Sequence, residues 1–259
     1  MTISFLKYQG TGNDFVMIDN LSGKIELDVQ QIVAICDRKF GVGSDGIILL
    51  ERADDADFRM NFFNPDGSQS FCGNGSRCAV RFAQSLGISG EFGKFIAIDG
   101  LHYFESDEIQ VRIKMKDVND TEELADGRII NTGSPHYLVF SKDIEELELV
   151  HEARKIRYSP RFTKDGINVN FVKEGVGEIW IRTYERGVED ETLSCGTGVT
   201  AAAIAYAMRK PVDSPVKVHA QGGDLEVRFE EVARGEYRNI WLCGPVKFVF
   251  EGKIEMDNI

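Results

Sequence analysis

The sequence holds 259 residues, 42% of them apolar, which suits one large domain or two small ones with a packed core. A formal net charge of −12 argues against nucleic acid as a partner, because phosphate backbones are met by basic faces, but it leaves room for a small charged ligand. No apolar stretch approaches the roughly 18 residues of a membrane span, the start lacks the pattern of a signal peptide, and five scattered cysteines are no disulfide framework, so a cytoplasmic protein without a membrane partner is expected.

In chain order, strands are expected at Ile3 to Tyr8 and Phe15 to Asp19, then a short helix from Val29 to Arg38 with Asp28 as its N-cap. A glycine-rich turn at Gly41 to Gly46 leads into the buried-strand pattern Ile47 to Leu50. The strand Phe58 to Phe63 runs into Asn64-Pro65-Asp66-Gly67, a strong turn signal. A helix from Gly73 to Leu86 follows, stopped by Gly87. Strands at Lys94 to Ile98, Leu101 to Glu105 and Ile109 to Met115 come next, before the chain turns polar and acidic near Lys116 to Leu124. A later helix, about Gly196 to Arg209, is ended by Pro211 and is apolar on nearly every face, hence buried all round. Val246 to Met256 reads as two short strands around Glu251-Gly252, available to pack on the first half.

The chain also repeats itself. Thr11-Gly12-Asn13-Asp14-Phe15-Val16 resembles Thr132-Gly133-Ser134-Pro135-His136-Tyr137, at an offset of 121, and Asp45-Gly46-Ile47 recurs as Asp165-Gly166-Ile167, at 120. Phe71-Cys72-Gly73-Asn74-Gly75 is echoed by Ser194-Cys195-Gly196-Thr197-Gly198, with the cysteines 123 apart, and Gly100 by Gly222 at 122. Four anchors in one order at nearly one offset predict two similar halves, 1–117, with 246–259 available to complete it, and 118–245. The fold class expected is α/β in the α+β sense. It consists of two pseudo-symmetric halves, each a strongly curved sheet or barrel about a central helix.

The two cysteine phrases carry the chemistry. A cysteine at a helix start meets unpaired backbone N–H groups and the positive end of the helix dipole, and both favour a thiolate. Two such groups, each holding one proton, suit inversion of a carbon flanked by a carboxylate and an ammonium: one removes a proton from one face while the other supplies one to the opposite face. Backbone N–H groups at Gly73, Asn74, Gly196 and Thr197 are placed to hold the charge that develops on the carboxylate. Cys36, Cys78 and Cys243 lack the Gly-x-Gly setting and read as core residues.

With these phrases the chain resembles the diaminopimelate epimerases, over essentially its whole length. The resemblance lies in Gly10-Thr11-Gly12-Asn13-Asp14-Phe15, Gly41-Val42-Gly43-Ser44-Asp45-Gly46, Asn64-Pro65-Asp66-Gly67-Ser68, Cys72-Gly73-Asn74-Gly75-Ser76-Arg77, Gly133-Ser134-Pro135-His136, Asn168-Val169-Asn170-Phe171, Glu185-Arg186-Gly187 and Cys195-Gly196-Thr197-Gly198. It implies a cofactor-independent and metal-free epimerase acting on a small molecule, diaminopimelate, in lysine and cell-wall precursor synthesis. It also implies a homodimer with its active site between the two halves. Cys72 and Cys195 become the acid/base pair by this likeness. Asn13, Asn64, Asn168, Glu185 and Arg186 would bind substrate together with Gly73, Asn74, Gly196 and Thr197, and His136 and Ser44 would support them. Two departures stand out. Ser134 replaces the asparagine common in Gly-Asn-Pro-His, and the run Val188-Glu189-Asp190-Glu191 is longer and more acidic than usual.

Other readings stay open at this point. Proline and hydroxyproline epimerases resemble Met-Cys-Gly-His at the first cysteine, where this chain has Phe71-Cys72-Gly73-Asn74. A thiol switch using Cys72 and Cys195 has no Cys-x-x-Cys to support it, and a phosphate binder using Gly12, Gly41 and Gly43 lacks the strand-to-helix glycine fingerprint.

Overall fold

A computed structural model describes residues 2–256; the outermost residues of the expected halves, Met1 and Asp257 to Ile259, lie outside it. The chain builds β1 (Thr2–Gly10), β2 (Asn13–Asp19), α1 (Val29–Cys36), β3 (Gly46–Glu51), β4 (Phe58–Phe63), α2 (Gly73–Ser85), β5 (Phe92–Ala97), β6 (Gly100–Ser106) and β7 (Val111–Lys114). After β8 (Thr121–Glu123) the order repeats as β9 (Arg128–Asn131), β10 (Pro135–Phe140), α3 (Leu149–Arg157), β11 (Asn168–Glu174) and β12 (Glu178–Glu185). A short extra strand, β13 (Asp190–Thr192), precedes α4 (Gly196–Arg209), β14 (Val216–Ala220), β15 (Gly223–Ala233) and β16 (Glu236–Gly244), and β17 (Lys247–Glu255) comes last. The described chain is thus mixed α/β, rich in strands with few helices.

It divides into two compact units, one running up to Ile113 and resumed from Gly244, the other Lys114–Cys243. In the first unit β17 pairs antiparallel with β1, β1 with β2, and β2 parallel with β3. β3 then pairs antiparallel with β4, β4 parallel with β5, and β6 lies antiparallel to β5. The second unit repeats these senses: β9 and β10 are antiparallel, β10 and β11 parallel, β11 and β12 antiparallel, β12 and β14 parallel, β14 and β15 antiparallel.

Each unit sandwiches its parallel strands between two helices. β3 is buried on both faces: Ile47 and Leu49 join the cluster under α1 with Ile32 and Ile35, while Ile48, one residue out of phase, meets the start of α2. In β11, Val169 and Phe171 pack with Leu149 and Ala153 of α3, and Asn170 faces the first turn of α4. α2 and α4 are the central helices. In α4, Val199 to Tyr206 are all buried, as an all-apolar helix requires.

Three details depart from the sequence reading. The segment Val246 to Met256 is one strand, β17, not two. Gly252 lies opposite Phe5 in the ladder, and a Cβ there would meet the Phe5 ring at 2.7 Å, so the glycine admits the ring without breaking the strand. The acidic joint is not bare, because Thr121 to Glu123 pair with β9. The partner of Gly100 in the repeat is Gly223, not Gly222. Both glycines have positive φ, +127° and +137°, both open a strand, and they lie 123 residues apart like the two cysteines.

Candidate active site

Cys72 and Cys195 occupy the same position in their units, the N-cap of the central helix. Cys72 has φ −131° and ψ 108°, Cys195 φ −119° and ψ 111°, so each sulfur leaves an extended residue and faces the first helical turn. The Cys72 sulfur accepts the Gly75 N–H at 3.4 Å, and the Cys195 sulfur lies 3.4 Å from the Thr197 hydroxyl oxygen. Both capping carbonyls accept the first intrahelical bond, from the Ser76 and Val199 N–H groups at 2.8 Å each. Cys195 is buried and Cys72 half-buried.

Around Cys72 a polar network runs through the first unit. The Asn74 amide donates to Asn13 Oδ1 at 2.5 Å, and Asn13 donates to Asp45 at 3.0 Å. Asp45 and Asp14 share the Arg38 guanidinium, which forks onto Asp14 at 2.7 and 3.2 Å and reaches Asp45 at 2.6 Å. Burial raises the Asp14 carboxyl, but hydrogen bonds from Arg38 and the buried Lys7 outweigh it and hold the group below its ordinary range. Arg38 can reach this pair because α1 ends at Cys36, where Asp37 turns the chain by accepting the Lys39 and Phe40 N–H groups at 2.7 Å. Fully buried Arg77 donates to Thr11 at 2.9 Å behind Asn74. Lys7, Arg38 and Arg77 were not singled out from sequence; their charge sits on partners 7 to 66 residues away in the chain.

Asn64 is placed otherwise. Its amide nitrogen closes its own loop, donating to the Ser68 carbonyl and hydroxyl at 3.1 Å and to Ser70 at 3.2 Å. Ser44 turns its hydroxyl toward Cys36 at 3.4 Å, and burial pushes the Cys36 thiol up in spite of that bond. Burial likewise raises the Cys78 thiol inside α2. An apolar cavity of about 430 Å³ in this unit, lined by Phe5, Met17 and Phe82 among others, holds none of the candidate residues.

In the second unit Asn168, Ser134 and Arg186 come together. Asn168 donates to the Ser134 hydroxyl at 2.9 Å and the Pro135 carbonyl at 3.0 Å, and its oxygen accepts the Arg186 N–H at 2.8 Å. Ser134 thus positions Asn168. The Arg186 guanidinium is tied to the Asp165 carbonyl at 2.8 Å, and Glu185 accepts from Thr192 at 3.0 Å. The acidic run beyond them is paired: Glu189 takes Arg157, Tyr158 and Tyr184 at about 3.0 Å, and Glu191 forks with Arg182 at 2.7 and 2.8 Å. His136 is fully buried between Thr197, 2.8 Å from Nε2, and Asn170, 3.0 Å from Nδ1. Burial drives its pKa down to about 3, so the ring is neutral. Asn170 and Thr183 are further members of this group; a polar residue at every second place of a doubly buried strand, Asn168 and Asn170, is the signal that marks them.

Set beside known proteins, the chain matches the family model described as Diaminopimelate epimerase over residues 5–100 and 128–249. It is 46% identical over 256 residues to the diaminopimelate epimerase of Flavobacterium psychrophilum, a match spanning 96% of this chain and 98% of that one. Among solved structures it resembles a Bacillus anthracis phenazine biosynthesis protein of the PhzF family, with TM-score 0.78 at 14% identity over 98% of this chain and 99% of that one. A hydroxyproline epimerase from Agrobacterium vitis gives 0.69 at 14% identity, over 98% and 92%. At such identities these two speak to the fold, which they share.

Proposed function

The chain belongs to the diaminopimelate epimerase family and is an isomerase, and from that premise we propose that it interconverts LL- and meso-diaminopimelate by a two-base mechanism with Cys72 and Cys195 as the bases. The observation that carries this reading is the matched placement of the two cysteines: each is the N-cap residue of a central helix, α2 or α4, in the same extended conformation, where the helix dipole favours a thiolate. One cysteine enters as thiolate and removes the α-proton; the other enters as thiol and delivers a proton to the opposite face. After turnover the two have exchanged roles.

As the proton leaves, negative charge grows on the α-carboxylate. Backbone N–H groups of Gly73, Asn74, Gly196 and Thr197, in the first turns of the two helices, are the donors offered to it. Diaminopimelate has a second amino-acid end that does not react. Arg186 supplies a fork for the distal carboxylate, while Glu185 and the amide oxygens of Asn13 and Asn64 are acceptors for ammonium. Asn168 fixes the Arg186 backbone, and Ser134 fixes Asn168. The chemistry asks for no cofactor. We place the enzyme in the cytoplasm as a homodimer, on the route to lysine and cell-wall precursors.

The test is turnover of diaminopimelate isomers by the purified, reduced protein, without added pyridoxal phosphate or metal and with proline as a control. In deuterated water the product gains solvent deuterium at one α-carbon. Cys72→Ala and Cys195→Ala each lower the rate about 10² to 10⁴-fold with the fold intact by circular dichroism. Either variant keeping more than about a hundredth of the rate, or turnover of proline alone, overturns the reading.

A further inference from the structure

We propose that Glu189 is a positioning residue for Arg186: its carboxylate anchors the turn from Glu185 to Asp190 on the C-terminal end of α3 and holds the arginine in one place before substrate arrives. The proposal deepens the function proposed above, since it rests on Arg186 as the fork for the distal carboxylate.

Glu189 stands where two local effects oppose it. Its φ is +60°, a left-handed conformation that glycine adopts freely and a longer side chain only under strain. Its carboxylate also lies against the last turn of α3, where the helix dipole disfavours negative charge. The donors gathered on it offset both. Arg157, the last residue of α3, approaches Oε1 with Nη2 at 2.9 Å and Nε at 3.2 Å, and the Gly187 N–H reaches the same oxygen at 3.3 Å. The Tyr158 and Tyr184 hydroxyls each donate to Oε2 at 3.0 Å. Burial raises the Glu189 carboxyl, but these bonds outweigh it and hold the group below its ordinary range.

The anchored turn carries Arg186. Asn168 holds the start of the turn by accepting the Arg186 N–H at 2.8 Å, and the Glu189 N–H closes it on the Glu185 carbonyl at 2.8 Å. Between them Val188 is 58% exposed, so apolar packing adds little and the Glu189 side chain fixes the far end. The Arg186 stem crosses Gly166, where a Cβ would meet its Cδ at 2.5 Å and the Arg157 Cζ at 3.1 Å. Two arginines thus lie against one bare glycine, and like charges so near repel. Glu189 neutralises Arg157, so Arg186 settles on Gly166 with Nη1 tied to the Asp165 carbonyl at 2.8 Å. One carboxylate acts on Arg186 in two ways, by fixing its backbone and by quieting its charged neighbour.

The test is steady-state turnover of diaminopimelate isomers by Glu189→Gly, which suits the left-handed backbone and removes the anchoring side chain. An unanchored Arg186 must be ordered at each binding event, so KM should rise about tenfold with kcat within about threefold of the parent. Glu189→Gln keeps the shape without the charge and gives a smaller rise. In an Arg186→Ala background Glu189→Gly should add no more than about twofold, an outcome that a merely structural role would not produce. An unchanged KM in Glu189→Gly, or the same rise in the absence of Arg186, overturns the proposal. Should the glycine variant not fold, Tyr158→Phe with Tyr184→Phe removes two of the donors and must still raise KM; no rise overturns the proposal. Amide hydrogen exchange gives a readout without substrate. The Arg186 N–H should exchange at least about tenfold faster in Glu189→Gly while Asn170 to Val172 of β11 keep their protection. An unaltered rate at Arg186 overturns the anchoring. Faster exchange in a protein that turns over no diaminopimelate overturns the proposed function and leaves the anchored turn standing.

Discussion

Gly75 and Gly198 hold equivalent places in the two cysteine phrases, yet substitution should treat them differently. An alanine methyl at 198 would lie 2.6 Å from Asn170 Oδ1 and 3.2 Å from His136, both fully buried and hydrogen-bonded, so neither can give way cheaply. At 75 the nearest atom is the far methyl of Ile48 at 3.1 Å. Gly198→Ala is therefore expected to cost about 1–3 kcal/mol in urea unfolding, as overpacked cores do, and Gly75→Ala clearly less. Equal costs would mean that the polar lid over α4 yields as easily as the isoleucine. His136 makes a second prediction at this scale. Its ring refuses a proton until about pH 3 when folded, against an ordinary value of 6.5, so only the unfolded chain gains protons as pH falls between these values. Stability is full above about 6.5 and falls toward 3, by up to about 1.4 kcal/mol per pH unit. In His136→Gln that contribution disappears, so the stability difference from the parent should shrink steadily on acidification. A constant difference across that range would count against a neutral, buried ring.

At the scale of elements, much could be read from sequence. β4 spans Phe58–Phe63 and α4 Gly196–Arg209, where period-two alternation and an all-apolar run leave little choice. Asp28 caps α1 with Gln31 returning the bond to its backbone, a capping box visible as Asp-x-x-Gln. Asp28→Ala should cost about 1 kcal/mol by denaturant unfolding. Side-chain partnerships across strands were not legible. Asn170 and His136 are 34 residues apart in sequence, and only the parallel pairing of β10 with β11 brings them side by side. For the same reason Asn64 reads alike as a substrate ligand or a turn residue, and its contacts in the structure are those of its own loop. Glu251-Gly252 looked like a break because glycine weakens strands, but register places it against Phe5. Gly252→Ala is expected to push that buried ring aside and cost about 1–3 kcal/mol, a loss that Phe5→Leu in the same chain should partly relieve.

For the whole molecule, the two cysteine-bearing units repeat one order of strands and helices, but they are not equally continuous. The second is a single run of chain, Lys114–Cys243, whereas the first is closed only by residues from Gly244 onward. β17 pairs with β1 along nearly its whole length, and Ile254 and Met256 join Ile3, Phe5 and Ile18 in the core under α1. Deleting residues 247–259 should bare the β1 edge and that core. Hydrogen exchange is expected to show lost protection in β1 to β3 while β10 to β12 stay protected. Uniform loss across both units would show that they do not fold separately.

The same discontinuity sets an order of events on the ribosome. The stretch bearing Cys195 has its strands in hand once Cys243 is made, but the stretch bearing Cys72, though made earlier, must wait for residues from Gly244 onward. The older of the two units is therefore the later to mature, and until β17 has emerged its β1 rim stands open to other unfinished chains.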